Sequence, residues 1–247
     1  MNVCWIKFIK LYAAVIAAAT CLPCCQPNKA DADVLPKAAA ASTPPPVSFI
    51  KENLEQIQAS KKWLDDGVLV TRSDNDFESL TLMNFLKREK VYSHAGILFK
   101  EDSSYYVYHS ITGAENPAGT CRRDPYDSFV NPLRKTGFGL FKYNLSEREK
   151  ERFHQFFKKH YAAKTPFDIY FNLKKSDSMY CSEIVYKGLQ LATTGRINMP
   201  TSVMNDFKPK IMGYKYNNTF FKTFPFIGID DLYLNRFCKE LVRIKYK

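Results

Sequence analysis

Apolar residues in this chain recur at two periods, and the changes between them mark out its elements. Phe49, Ile50, Leu54 and Ile57 fall at helical spacing and predict a helix over 48–62, which Asp65-Asp66-Gly67 breaks. Gly67–Thr71 (GVLVT) reads as a strand and Ser79–Lys87 as a short helix. Val91–Phe99 (VYSHAGILF) and Ser104–Ser110 (SYYVYHS) are strand-like runs on either side of Lys100-Glu101-Asp102-Ser103, the pattern of a hairpin. Ile111–Gly119 is loop-like, Asp124–Leu133 is mixed and carries Pro125 and Pro132, and Gly137–Tyr143 is another strand. Ser146-Glu147-Arg148-Glu149 has the form of a capping box, and the helix it opens carries Phe153, Phe156 and Phe157 on one face as far as Tyr161. Its two histidines, His154 and His160, read as solvated. Ile184, Val185, Gly188, Leu189 and Ala192 predict a second apolar-faced helix from Tyr180 to Thr193, with Gly195 suited to its stop. Met199–Lys247, rich in aromatics and Asn, predicts loops with one or two strands and a short helix. Helices and antiparallel strands mixed in this way predict an α+β fold.

Cys181 stands at the start of that second helix. Unpaired backbone N–H groups and the positive end of the helix dipole favour a thiolate there, so the position suits a nucleophile. A buried cysteine at a helix start is also a common inert packing residue, and the inference therefore needs a base. Only four histidines are available. If the hairpin turn is centred between Glu101 and Asp102, His94 faces His109 directly, with Cβ atoms about 5 Å apart on one face of the sheet. A register shift would make the two diagonal neighbours or put them on opposite faces. His94, followed by the small Ala95 and Gly96, is the candidate base, and His109 the group that sets its tautomer. The backbone N–H of Cys181 is a candidate oxyanion donor. Glu183 suits a cap or an ion pair, and Asp168 suits the loop before the Cys181 helix.

The leader adds a compartment. Met1–Lys10 carries Lys7 and Lys10, and Leu11–Thr20 (LYAAVIAAAT) is an apolar run too short to cross a bilayer unaided. Small residues then end in Cys21, as in a lipoprotein cleavage box, although Ala18 and Thr20 depart from its preferred residues. Residues 1–21 are therefore expected to be an export signal with Cys21 lipidated; a soluble exported protein is the alternative. Residues 22–46, rich in Ala and Pro, form a tether, and a single domain occupies 47–247. The net charge of +11 leaves +9 outside the first 46 residues. It suits anionic surfaces, but no nucleic-acid motif accompanies it, and nucleic acid is not an expected partner. No cysteine spacing suits a zinc site, and no motif indicates a metal or an organic cofactor. Cys121 and Cys238 are the body cysteines left to pair with each other if Cys181 is free.

Tyr92-Ser93-His94-Ala95-Gly96-Ile97, Val107-Tyr108-His109-Ser110 and Tyr180-Cys181-Ser182-Glu183-Ile184-Val185 together resemble the permuted branch of the NlpC-type papain-like cysteine hydrolases, most closely the YiiX/YaeF-like amidase group. The resemblance spans Gly67 to Ala192. Gly67-Val68-Leu69-Val70 is similar to the family's opening strand, with Val68 in place of its polar residue. The order of His before Cys marks the permuted form. The resemblance implies a circularly permuted papain-like fold, an antiparallel sheet packed on the nucleophile's helix. It implies Cys181 as nucleophile, His94 as base and His109 as third polar residue, where Glu is common in the family, and Tyr92 as a candidate oxyanion donor, a residue that reads otherwise as a packed strand aromatic. It implies an amidase or peptidase acting on a peptide or small amide, with cell-wall-type peptide agreeing with export and a membrane anchor at the N terminus. A thioesterase or lipid acyltransferase on the same residues, or a non-catalytic binding protein of the same fold, are the alternatives.

Overall fold

Alternating apolar residues on β1 (Val68–Asp74), β2 (His94–Glu101), β3 (Ser104–Ile111) and β5 (Lys135–Tyr143) have both faces covered, and they build the centre of a six-stranded antiparallel sheet. The strand order is β10-β5-β1-β2-β3-β4, with β4 (Thr120–Pro125) and β10 (Cys238–Lys245) at the edges. The computed structural model describes residues 47–84, 86–133, 135–174, 177–203, 210–211, 214–215 and 225–247. The expected leader, tether and lipidation site at Cys21 lie outside them.

Leu69, Ile97, Phe99, Tyr108 and Phe141 point to one side of the sheet. There they meet α4 (Glu147–Ala162), α5 (Cys181–Ala192) and α6 (Ile229–Tyr233) through Phe153, Phe157, Ile184, Leu189 and Leu232. Val68, Val70, Leu98, Val107 and Leu140 point to the other side. They pack on Ile57 of α1 (Val47–Ser60) and on Tyr126 and Phe129 of α3 (Tyr126–Phe129). A short α2 (Phe77–Asn84) follows β1, and two small ladders stand apart from the main sheet, one of β6 (Ser202–Val203) with β9 (Pro225–Phe226) and one of β7 (Lys210–Ile211) with β8 (Tyr214–Lys215). The α+β class and the antiparallel sheet packed on the Cys181 helix are both present.

Local chemistry accounts for the helix ends. The Ser146 side chain accepts from the Glu149 N–H while Glu149 reaches back to the Ser146 N–H, so the capping box forms as its sequence predicts. Gly195 takes φ 81° and its N–H bonds Gln190, closing the end of α5.

Helices α4 and α5 approach closely because Gly188 has no side chain. A Cβ there would lie 2.6 Å from the Phe153 ring and 2.9 Å from that of Phe156. Gly188→Val is expected to destabilise the fold by about 1–3 kcal/mol despite removing a helix glycine, because the Phe153 ring is buried and cannot yield. Denaturant midpoints would check this; an unchanged midpoint would mean the helices can separate freely.

Several expectations need correction. Residues 120–125 form a strand, whereas the sequence pattern predicted none there. The hairpin turn falls one position later than expected. Glu101 pairs with Ser104 and Ile97 with Tyr108, so only Asp102 and Ser103 form the loop, with Asp102 at φ 52°. Asp is among the few non-glycine residues that accept that conformation readily. Cys121 and Cys238 lie on opposite edge strands, five strand spacings or about 24 Å apart, far beyond disulfide reach, and both are free. His154 is buried rather than solvated, stacked on Phe99 at 4.3 Å with Nε2 bonded to Glu101. His160 is half-buried and bonds Thr165 at 2.8 Å.

Candidate active site

The residues before α5 hold Cys181 in place from both sides. The Met179 N–H bonds the Pro166 carbonyl at 2.9 Å, and the Met179 carbonyl accepts from Ser110 at 2.7 Å. The Tyr180 hydroxyl accepts from the Ile227 N–H at 2.8 Å, and the Ser182 hydroxyl donates to the Ile227 carbonyl at 2.7 Å. Glu183, fully buried, accepts from the Tyr180 N–H at 3.1 Å and pairs with Lys187 at 2.7 Å, so it serves both as cap and as ion-pair partner. Asp168 takes the N–H groups of Tyr170 and Asn172 and so shapes the preceding loop.

The Cys181 sulfur receives backbone N–H groups from Ala95, Ser182 and Cys181 itself. These pull its pKa down, but burial outweighs them and the thiol is pushed up to about 11. At neutral pH the resting sulfur is therefore a thiol, contrary to the thiolate expected from its place at a helix start. The Ala95 N–H joins it directly to the peptide unit that follows His94.

His94 begins β2 opposite Arg72 of β1. Because the hairpin ladder is displaced by two residues from the predicted register, His109 lies diagonal to His94 and not opposite it. A two-residue shift keeps both on one face, and the rings still meet. His94 Nε2 and His109 Nδ1 are 2.8 Å apart. Gly96 makes room for this, since a Cβ there would lie 3.0 Å from that of His109. The other nitrogen of His109, Nε2, lies 3.0 Å from Asp124 Oδ2. Asp124 Oδ1 in turn accepts from Arg122 Nε at 2.9 Å and pairs with Nη2 at 2.7 Å. Both imidazoles pack on Phe129, at 5.7 and 5.0 Å between centroids. By strand alternation they belong to the Phe129 side of the sheet, whereas Cys181 belongs to the opposite side; the His94–Ala95 peptide connects the two.

Tyr92 is placed differently. Its ring packs edge-on against Phe141 and Tyr233, and its hydroxyl bonds Thr71. Burial pushes its pKa up to about 12, so it stays neutral.

The electrostatics favour neutral histidines. Burial, and then Arg72, hold His94 well below the usual imidazole range. Burial brings His109 down to about 4 against the opposing pull of Asp124. Burial by itself would raise Asp124, but His109 and Arg122 bring it down to about 2, so it is ionised. A depressed folded-state pKa gives stability that is complete above pH ~6.5 and is lost as pH falls through the folded-state value. The fold is therefore expected to lose stability from pH ~6.5 down to ~4, by up to ~1.4 kcal/mol per pH unit for each histidine. Urea midpoints at both ends of that window would show it. His109→Gln should flatten the slope, and an unchanged slope would show that His109 does not contribute.

Asp124 and Arg72 were not found from the sequence. Asp124 sits on an edge strand whose exposed face hides any alternation, and Arg72 follows a strand predicted to end at Thr71. Only the assembled ladder shows the signal, because Arg122 pairs with His109 and so puts Asp124 two residues along on the same face.

Among solved structures the chain is similar in fold to the crystal structure of metalloprotein YiiX from Escherichia coli O157:H7 (DUF1105), with a TM-score of 0.59 and 16% identity over 73% of this chain and 98% of that one. At that identity the likeness is one of fold. No family model matches the chain, and no curated protein matches it by sequence.

Proposed function

We propose that this protein is an exported thiol hydrolase of the permuted papain-like type that cleaves amide bonds through Cys181, His94 and His109. The observation that carries the reading is the hydrogen-bonded chain His94–His109–Asp124 beginning one residue from the N–H that contacts the Cys181 sulfur.

The chain of bonds selects one proton arrangement. Ionised Asp124 can only accept, so His109 carries its proton on Nε2 and offers Nδ1 as an acceptor. His94 then carries its proton on Nε2 and leaves Nδ1 unprotonated. In the proposed reaction the Cys181 proton passes to Nδ1 through a water that bridges the two at the start of β2, past the His94–Ala95 peptide, as sulfur attacks the carbonyl carbon. The imidazolium formed is stabilised through His109 by Asp124 and gives its proton to the leaving amine as the C–N bond breaks. Water, deprotonated by His94, then hydrolyses the thioester.

The Escherichia coli neighbour is described as a metalloprotein. Here the facing nitrogens of the two histidines bond each other, and among the described residues no three His, Cys, Asp or Glu side chains converge on one point. That donor set does not fit a bound ion, and the proposed chemistry is carried by the chain's own groups.

The leader and the motif ending at Cys21 support a lipid-anchored protein facing the periplasm or exterior, with cell-wall-type peptides as the substrate class. The test is mass spectrometry after incubation with peptidoglycan fragments or, separately, with acyl thioesters. Cleaved amide bonds would support the proposal. Acyl transfer without amide cleavage would make the protein a thioesterase or acyltransferase, and no turnover with no adduct on Cys181 would leave a binding protein.

A further inference from the structure

A charged cluster beside His94 helps keep that ring neutral but takes no part in the proton transfers above. Arg72, directly opposite His94 in the β1–β2 ladder, is 2% exposed. Its guanidinium lies 4.6 Å from the centroid of the Phe129 ring that both histidines also contact. Lys135, at the start of β5, shares two carboxylates with it. Asp74 is 2.8 Å from Lys135 Nζ and 3.3 Å from Arg72 Nε. Glu115 is 2.7 Å from Lys135 Nζ and bonds Arg72 Nη2.

The two carboxylates are not equivalent. Asp74 is the last residue of β1 and is buried with the scaffold. Glu115 comes from the loop between β3 and β4, and its side chain is 33% exposed. That loop contains Gly113 and Gly119 at φ 84° and 57°, a left-handed conformation that glycine adopts at no steric cost. The Glu115 carbonyl also accepts from Arg122, the residue that holds Asp124, so the loop is tied to the histidine chain.

We propose that Arg72 and Lys135 form a carboxylate-binding subsite that Glu115 fills in the free protein and that a carboxylate of the substrate takes over. With Glu115 withdrawn, two buried cations face the single carboxylate of Asp74, an imbalance costly in a low-dielectric site. An incoming carboxylate corrects it, and the planar guanidinium suits that group. Resting on the hydrolase reading, the subsite makes peptides with a free carboxylate near the scissile bond the preferred substrates over neutral ones. Glu115 is then an internal competitor that lowers apparent affinity until it is displaced.

The test is calorimetric titration of full-length Cys181→Ala protein, which cannot turn over, with N-acetyl-dialanine, N-acetyl-alanyl-glutamic acid α-amide and N-acetyl-dialanine amide. Adding Glu115→Gln should tighten binding of one or both acids by about tenfold or more and leave the neutral amide unchanged. The acid that gains shows whether a chain terminus or an acidic side chain is read. Adding Lys135→Met should remove the gain. Glu115→Asp, a shorter latch, should give a smaller gain and serves if the Gln variant does not fold. No gain for either acid, an equal gain for the neutral amide, or inorganic phosphate binding more tightly than both acids would overturn the proposal. Failure of the hydrolase reading appears separately, as no amide cleavage by the Cys181 protein.

Discussion

Asp124→Asn is expected to lower kcat/KM by about a hundred- to ten-thousandfold, and by more than Asp124→Ala, although it is the more conservative change. The reason lies with Arg122. A guanidinium only donates, so an amide at position 124 turns its oxygen toward Arg122, where Oδ1 now accepts from Nε at 2.9 Å. Its NH2 then faces His109 Nε2, which at present is 3.0 Å from the carboxylate. That nitrogen becomes an acceptor, the His109 proton moves to Nδ1, and His94 Nε2 must accept in turn. The His94 proton is thereby left on Nδ1, the atom proposed as base. Asp124→Ala removes the acceptor without imposing the wrong tautomer. Kinetics on a cleaved peptide, with KM and kcat separated, would check the ranking, and kcat should carry the loss. If Asn were as active as Asp, or Ala less active than Asn, the relay would not set the tautomer.

How much of this was readable from the residues depended on how locally each feature is encoded. The capping box at Ser146 and the stop at Gly195 depend on residues a few positions apart, and both form as expected. The Cys181 helix follows from five apolar positions. The hairpin was legible, but its register was not, because the two-residue turn uses Asp102 at positive φ and nothing in the strand pattern identifies which pair takes that role. The shift happened to be two residues, so the histidines kept a common face; a shift of one would have separated them. The thiolate expectation erred because the local term, N–H groups at a helix start, is outweighed by burial, which is a property of the assembled fold. The Arg72, Asp74, Glu115 and Lys135 cluster could not be read in advance. Its members come from two strands and a loop and look like solvated charges until β1 and β5 pair.

That burial also shapes the last expected result. Cys181→Ala should reduce hydrolysis to background, His94→Ala should lower it by about 10²–10⁴, and the double variant should be no worse than Cys181→Ala, because the two groups act in one step. The resting state adds a sharper expectation. With the thiol pushed up to about 11 and His94 held well below the usual imidazole range, neither group is charged near neutral pH. A preformed thiolate–imidazolium pair would require both shifts to run the other way. Alkylation of Cys181 by iodoacetamide without substrate should therefore rise steadily into the alkaline range, with no plateau at about pH 5 to 8 where an ion pair would show one. His94→Ala should leave that alkylation profile nearly unchanged while abolishing most hydrolysis, since the proton moves only as the carbonyl is attacked. A neutral-pH plateau that disappears in His94→Ala would establish an ion pair and overturn the general-base assignment.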